Sequence, residues 1–202
     1  MKIVNNFDII RNLLKFDNEN SFYFLQILKR RKDNPDLNKD MIHISDHYIY
    51  SLEQFDGMKS DIIATCNQHN ARAYFRLNVR DANKVAMQTL KKIVDHITSG
   101  NYKAVKNAYA SCTREHHSDP DKTWIVDIDY KDLEGDHDMR INEIIKSVHK
   151  LIFETGRDDS VHTIPTKNGI HVICRPFNLK KFREVYPNID VHKDNPILLY
   201  CP

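Results

Sequence analysis

The stretch Trp124-Ile125-Val126-Asp127-Ile128-Asp129-Tyr130 decides the fold. In a β-strand successive side chains point to opposite faces, so Asp127 and Asp129 share one face, and the other face carries Trp124, Val126, Ile128 and Tyr130. The pattern predicts a strand that buries one face and presents two carboxylates on the other. Because unpaired buried carboxylates are costly, such a pair favours a metal site. The alternative is an edge strand that runs into a solvated turn, and the acidic residues that follow Tyr130 fit that alternative.

The composition limits the classes of function. With 202 residues the chain is long enough for one domain with a substantial core, and we expect one domain over residues 1–202. Lys and Arg number 30 against 28 Asp and Glu, so any affinity for polyanions must come from local clusters of charge. None of the five glycines forms a GxGxxG or GxxxxGK[ST] motif, which argues against a dinucleotide fold or a P-loop. Phosphates would then be held mainly by side chains.

The cysteines and the apolar segments indicate a compartment. Four cysteines lie far apart and form no zinc-ribbon spacing, so we interpret them as reduced, mostly buried thiols: Cys66, Cys112, Cys174 and Cys201. The first sixteen residues lack a continuous apolar region, and no later segment approaches a membrane span. We therefore expect a cytoplasmic protein without a membrane partner. The abundance of Asn, Ile, Lys and Asp points to a low-GC bacterium or a phage-infected cell.

Helical and strand patterns alternate along the chain. Helices are expected at residues 5–15, 51–69, 82–97, 101–109, 141–154 and 179–185, and strands at 72–80, 124–130, 160–166, 170–175 and 197–200. Residues 22–31 fit a strand or a helix. The mixture predicts an α+β fold with a mixed or antiparallel central sheet covered by helices, or a mixed α/β domain.

Arginines alternate along the strand predicted at residues 72–80. Arg72, Arg76 and Arg80 share one face, while Ala73, Phe75, Leu77 and Val79 form the other. Forked guanidinium donors at this spacing suit phosphate or carboxylate oxygens, so Arg72 and Arg76 are candidate phosphate ligands. The alternative is an ordinary solvated face of a sheet.

The strand predicted at residues 170–175 has the same design. His171 and Arg175 lie on its polar side, although a single histidine so placed is more often structural. The preceding loop, Thr166-Lys167-Asn168-Gly169, offers a hydroxyl, an ammonium group and backbone N–H groups that suit a phosphate. If this strand, the arginine strand and the acidic strand belong to one sheet, their polar faces supply the groups of a metal-dependent phosphoryl-transfer site.

These residues resemble a known family. The strand Ile125-Val126-Asp127-Ile128-Asp129 and the later segment Thr166-Lys167-Asn168-Gly169-Ile170-His171-Val172 look like motifs I and II of the archaeo-eukaryotic primase superfamily, which includes primase-polymerases. Ile189-Asp190 is the candidate for the hydrophobic-acidic motif III. The similarity covers about residues 72–200, in the order of the family's motifs. It leaves residues 1–70 as an N-terminal half and places the catalytic motifs in residues 71–202.

The resemblance implies a site and a chemistry. It implies a catalytic sheet like that of an RNA-recognition motif, with Asp127, Asp129 and Asp190 as ligands of two divalent ions. It implies that His171 contacts the phosphates of the incoming nucleotide and that Lys167 and Arg76 assist. Three hard carboxylates suit Mg²⁺ or Mn²⁺. The implied partners are a DNA template and primer and nucleoside triphosphates. Because the chain has no zinc-binding cysteine set and no attached helicase, a helicase or another replication partner is also expected.

Three other interpretations stay open. An acidic pair on a strand is also found in two-metal nucleases, although the predicted helix at residues 141–154 adds only Glu143 and Glu154. An aspartate-nucleophile phosphatase is disfavoured because Tyr130-Lys131 follows the pair. A catalytically silent module that binds nucleic acid, a nucleotide or a protein fits the same residues. His116, His117 and Asp119 are interpreted as a polar loop near the mouth of the site.

Overall fold

A five-stranded antiparallel sheet forms the first half of the architecture. The computed structural model describes residues 3–115, 122–158 and 160–202. The strands of the sheet are β1 (Val4–Asn5), β2 (Ser21–Arg30), β3 (Met41–Ile49), β4 (Arg72–Asp81) and β9 (Ile197–Cys201). They lie in the order β1-β9-β4-β2-β3 across the sheet.

Short helices cover one face of this sheet. They are α1 (Phe7–Arg11), α2 (Leu52–Gly57) and α3 (Lys59–His69), and they pack on the apolar side of β4 that the alternation predicted. Ser51 starts α2 by accepting a hydrogen bond from the Gln54 amide, a usual N-cap arrangement. Asn70, in the left-handed conformation with φ 45°, ends α3. Met58 separates α2 from α3, so the single helix expected at residues 51–69 is two.

Three further helices cover the opposite face. They are α4 (Ala82–Thr98), α5 (Tyr102–Val105) and α6 (Ala108–Glu115). Val85 of α4 and Cys112 of α6 bury against Phe22 of β2. Asp81 begins α4 by accepting a hydrogen bond from the Lys84 amide at 2.8 Å. One helix was expected over residues 101–109, but the chain turns between α5 and α6 and continues as a helix to Glu115.

A second antiparallel sheet of four strands follows along the chain. Its order is β6-β7-β5-β8, and two helices, α7 and α8, connect its strands in the sequence β5-α7-β6-β7-α8-β8. This connectivity is the β-α-β-β-α-β arrangement of ferredoxin-like domains. The elements are β5 (Trp124–Asp129), α7 (His137–Phe153), β6 (His162–Pro165), β7 (Gly169–Cys174), α8 (Leu179–Val185) and β8 (Asp190–His192).

The two faces of β5 are divided as the sequence predicts. Val126 and Ile128 bury against α7 and α8, and Trp124 and Tyr130 pack at the margin of the same cluster. Ile125, on the acidic face, joins the core of the first sheet together with residues of β6 and β7. The acidic face of β5 is therefore directed at the first sheet, and the polar positions beyond Ile125 lie at the boundary between the sheets.

The α+β class is confirmed, with two sheets where one central sheet was expected. β4 belongs to the first sheet, whereas β5 and β7 belong to the second, so the three polar strands do not share one sheet. Residues 22–31, which fitted either state, form β2. In the part of the chain that the structure describes, no helix is long and apolar enough to cross a membrane.

Candidate nucleotide and metal site

Asp127 lies at the centre of the second sheet between two strands with polar side chains. It pairs in register with His171 of β7 on one side and with Asp190 of β8 on the other. Directly opposite residues in an antiparallel pair point to the same face, with Cβ atoms about 5 Å apart. His192 shares this face because it pairs with Ile125. The register thus brings the residues of the three candidate motifs onto one row across three strands.

Asp129 sits two residues along β5, at the end of the strand next to the loop that precedes β7. It pairs with Gly169, and the Tyr130 amide donates a 2.9 Å hydrogen bond to the Asn168 carbonyl. The Thr166 amide in turn donates to the Gly169 carbonyl at 2.9 Å, which closes a tight turn around Lys167 and Asn168. The loop predicted to hold phosphate therefore lies beside Asp129.

Gly169 is required by the close approach of β5 and β7. A Cβ atom at this position would lie 2.0 Å from the Ile128 carbonyl oxygen and 2.9 Å from the Asp129 Cα atom. Both are backbone atoms, so the strands would have to separate. We expect Gly169→Ala to lower the free energy of unfolding by about 1–3 kcal/mol, as overpacked sites do, in urea titrations.

Gly57→Ala is the matched control for this substitution. A Cβ atom at Gly57, the last residue of α2, meets no atom within 4 Å. Because alanine has the higher helix propensity, this variant should be unchanged or more stable by up to about 1 kcal/mol. Equal stabilities for the two variants would contradict the close packing at Gly169.

Two histidines contact the Asp127 carboxylate. His171 Nε2 lies 3.4 Å from Oδ1, and His192 Nε2 lies 3.9 Å from Oδ2. Burial raises the pKa of Asp127, but the hydrogen bond and charge of His171 and the charges of His192 and Lys32 outweigh burial, so the pKa is lowered. His171 Nδ1 is buried and finds no hydrogen-bond partner among the residues described. Buried polar atoms without partners are uncommon and often mark functional positions.

Lysines flank the acidic pair. Lys131 Nζ lies 3.5 Å from Asp129 Oδ2. Lys32, in the turn after β2, is close enough for its charge to act on Asp127 and Asp129. Partial burial lowers the pKa of Lys32, and the charges of Arg72 and Arg30 lower it further. The carboxylates of Asp33 and Asp129 have the opposite effect on this pKa. The site therefore combines acids with crowded cations.

Asp33 ties the loop before β7 to the first sheet. Its carboxylate accepts hydrogen bonds from Arg72 Nε at 2.6 Å, Arg72 Nη2 at 2.7 Å and Lys167 Nζ at 2.9 Å. Only 7% of the Asp33 side chain is exposed. Burial raises the pKa of Asp33, but the hydrogen bonds from Arg72 and Lys167 prevail and hold it at about 2. Two predicted phosphate ligands, Arg72 and Lys167, thus meet at one carboxylate.

The stability that this carboxylate contributes should depend on pH. A pKa lowered from 3.8 to about 2 on folding corresponds to about 2 kcal/mol. Because the folded pKa is the lower one, the contribution is present above about pH 4 and is lost as the pH falls toward 2. In urea titrations, the difference in unfolding free energy between the unmodified protein and Asp33→Asn should therefore narrow between pH 6 and pH 3. For the exposed Asp36→Asn the difference should stay small throughout. A constant difference for Asp33→Asn would contradict the ion-pair contribution.

Arg76 and Arg80 lie away from the acidic pair, on the face of β4 that turns from the second sheet. Both contact Asp194, which follows β8: Arg80 Nη2 donates to Oδ2 at 2.8 Å, and Arg76 Nη1 donates to the backbone carbonyl. Asn78 donates to Asp194 Oδ1 at 2.9 Å and accepts from the Thr123 amide at 2.7 Å. This polar row fastens the chain before β5 and after β8 to the first sheet. Arg76 therefore holds Asp194, and with it the chain that follows β8, in place.

The remaining predicted residues are also placed apart. Arg175 lies beyond Cys174, at the opposite end of β7 from Gly169. Arg175 is four positions after His171, a distance of about 13 Å along an extended chain. His116, His117 and Asp119, predicted to form a polar loop, lie outside the described residues.

Sequence reasoning missed Lys32, Asp33 and His192 as members of the site. His192 carried a signal, because it follows Asp190 at period two in the segment after Ile189. Lys32 and Asp33 stand in a run of charge that ends β2, and only the tertiary structure brings that run to β5. Within the described ranges, no three or more His, Cys, Asp or Glu side chains are already gathered closely enough to hold a metal ion.

Comparisons with known proteins identify no relative of this chain, so a functional conclusion depends on the geometry of the site. The chain has no significant match among protein-family models, curated proteins or solved structures.

Proposed function

We propose that the protein is a metal-dependent nucleotidyltransferase of the primase-polymerase type that acts in nucleic-acid replication or repair. The observation that carries the proposal is the register of β5: Asp127 lies directly opposite both His171 and Asp190. These residues come from three separate segments of sequence, and each segment resembles a different motif of the archaeo-eukaryotic primase superfamily. If the resemblance were accidental, the three residues would not be expected to meet on one row of the sheet.

The donor atoms fit a hard divalent ion. Asp127, Asp129 and Asp190 are the residues that would hold it, because carboxylate oxygens are the ligands that Mg²⁺ and Mn²⁺ prefer. Asp127 and Asp129 are partly exposed at 35% and 40% of their side chains, so both are accessible. When bound, such an ion lowers the pKa of the attacking hydroxyl and neutralises charge on the leaving group.

The chemistry assigned to the site is addition of a nucleotide to a 3′-hydroxyl. The 3′-hydroxyl gives its proton to solvent, and its oxygen forms a bond to the α-phosphorus of a nucleoside triphosphate. The bond between that phosphorus and the bridging oxygen breaks, and pyrophosphate leaves. Lys32 and the Lys167 loop flank the acids, where their charges can hold the phosphates of the triphosphate. We assign contact with the same phosphates to His171, which lies beside Asp127.

Extension of a labelled primer on a DNA template tests this function. With Mn²⁺ or Mg²⁺ and either ribo- or deoxyribonucleoside triphosphates, we expect primers to lengthen and pyrophosphate to appear in equal amount. Shortening of the labelled strand without added nucleotides would instead identify a two-metal nuclease. Binding of nucleotide or DNA with neither reaction would identify a catalytically silent binding module.

A further inference from the structure

We propose that residues 30–32, here called the basic arm, form the track along which a single strand of nucleic acid reaches the acidic pair. The inference rests on the proposed function and adds the strand's location and its single-stranded form. The basic arm is Arg30-Arg31-Lys32, at the end of β2 and the start of the following turn.

One end of the basic arm is part of the candidate site. Lys167 belongs to the loop beside Asp129, because Gly169 of that loop pairs with Asp129 in the register of β5 and β7. Asp33, the residue after Lys32, holds Arg72 and the Lys167 loop by hydrogen bonds of 2.6–2.9 Å. A strand whose phosphates follow the basic arm would therefore bring its end to the carboxylates of β5.

Asp33 and Asp40 compensate little of the positive charge of the basic arm. Asp33 already accepts three hydrogen bonds from Arg72 and Lys167. Arg31 approaches Asp40 only to 4.0 Å, and the two side chains are 58% and 99% exposed, so this pair contributes little. Arg30, Arg31 and Lys32 line one cavity together. Three cations gathered at one cavity gain from an anionic ligand, and the phosphates of a nucleic acid, which release counterions on binding, supply one.

The surface around the basic arm accommodates more than a phosphate. An open cavity of about 690 Å³ is lined by Arg30, Arg31, Lys32, Pro35 and Asp40. Met41 pairs with Arg30 in the β2–β3 register, so these two side chains share one face of the sheet. Met41 is 48% exposed. The surface therefore offers an apolar side chain beside its cations.

That combination distinguishes a single strand from other polyanions. An unpaired strand presents phosphates together with the apolar faces of its bases, whereas a duplex stacks those faces inside. A free triphosphate would use the cations and leave Met41 exposed. Single-stranded nucleic acid is therefore the ligand that covers both parts of the surface.

Fluorescence anisotropy with a fluorescein-labelled 20-nucleotide deoxythymidine strand tests the location. The measurement is made in EDTA without nucleotides, so it does not depend on catalysis. We expect Arg31→Ala combined with Lys32→Ala to weaken binding about tenfold or more and to reduce the slope of log K against log salt by about 1.4, or about 0.7 per lost phosphate contact. The control is Lys103→Ala combined with Lys106→Ala, which removes two exposed lysines near α5. It should bind like the unmodified protein.

A second variant tests the single-stranded form. Met41→Ser should weaken binding of the single strand while leaving the salt slope unchanged, because no cation is removed. A labelled 20-base-pair duplex should bind more weakly than the single strand. Equal effects of the basic-arm and control variants, or preference for the duplex, would overturn the inference.

The outcomes separate this inference from the proposed function. If primers are extended but the basic-arm variant binds DNA normally, the track is wrong and the enzyme assignment stands. If the basic-arm variant loses binding but the unmodified protein extends no primer, the track stands and the enzyme assignment fails.

Discussion

Asp127→Asn should abolish primer extension, with a loss of more than about a hundredfold in rate. Mutation of residues that only hydrogen-bond to a metal ligand already lowers metal affinity or activity by about 10- to 100-fold, so loss of a ligand itself should cost more. Asp127 is the central member of the site: it faces Asp190 and His171 across the strands and contacts both His171 and His192. An amide keeps the shape of the side chain but lacks the charge needed to hold a divalent ion. The loss should appear in the rate of nucleotide incorporation with either Mn²⁺ or Mg²⁺.

Asp138→Asn is the control for this variant. Asp138 is an exposed acid in the first turn of α7, on the helical side of the second sheet. Its replacement should leave incorporation unchanged. Both variants should unfold within about 1 kcal/mol of the unmodified protein, which separates loss of chemistry from loss of fold. An Asp127→Asn protein that is folded and still extends primers at the normal rate would remove Asp127 from the reaction.

Asp194→Asn should destabilise the protein by about 3–5 kcal/mol, the usual cost of breaking a buried ion pair by removing one partner. Arg80 is fully buried and donates to the Asp194 carboxylate at 2.8 Å, and Arg76 contacts the same residue. The substitution leaves the buried guanidinium group of Arg80 and the partly buried one of Arg76 without their counter-charge. It also loosens the chain after β8, so Asp190 should lose its position opposite Asp127. Equilibrium unfolding in urea measures the change.

Asp40→Asn is the matched surface variant. Asp40 lies 4.0 Å from Arg31 with its side chain 99% exposed. Its loss should change the free energy of unfolding by less than about 0.5 kcal/mol, as for most surface substitutions. A change below 1 kcal/mol for Asp194→Asn would show that the polar row on β4 is not the fastening that the contacts indicate.

The alternation of side chains predicted the faces of β4 and β5 but not their partners. On β5 the acids and the apolar residues divide between the faces as expected. On β4 the arginines share one face, as the alternation predicted. That face packs against Asp194, which lies 118 positions from Arg76 in sequence. Period-two patterns are local, whereas sheet membership depends on contacts between distant segments. For that reason one sheet was expected where the chain forms two.

Short and polar strands carried too little pattern to be recognised. β8 has only three residues, and β3 places polar side chains at most of its positions, His43, Ser45, Asp46 and His47 among them. Both are edge strands, where one side of the backbone is unpaired and polar side chains are common. Asp190 was therefore found through its resemblance to a motif and not through a predicted strand.

The periodicity of α4 predicted a helix without showing which side it buries. Val85 and Thr89 face the first sheet. Leu90, Val94 and Ile97, which form an apolar stripe, are 59%, 57% and 48% exposed. A helical period fixes which residues share a face, but the neighbouring elements decide whether that face is covered.

Anomalous diffraction from crystals grown with Mn²⁺ and a non-hydrolysable nucleoside triphosphate tests the site most directly. We predict manganese within about 2.1 Å of carboxylate oxygens of Asp127 and of Asp129 or Asp190, as expected for a hard octahedral ion. The triphosphate should lie on the side of Lys32 and Lys167. A fully folded protein with nucleotide bound elsewhere, or with no manganese at Asp127, would contradict the assignment of a nucleotidyltransferase.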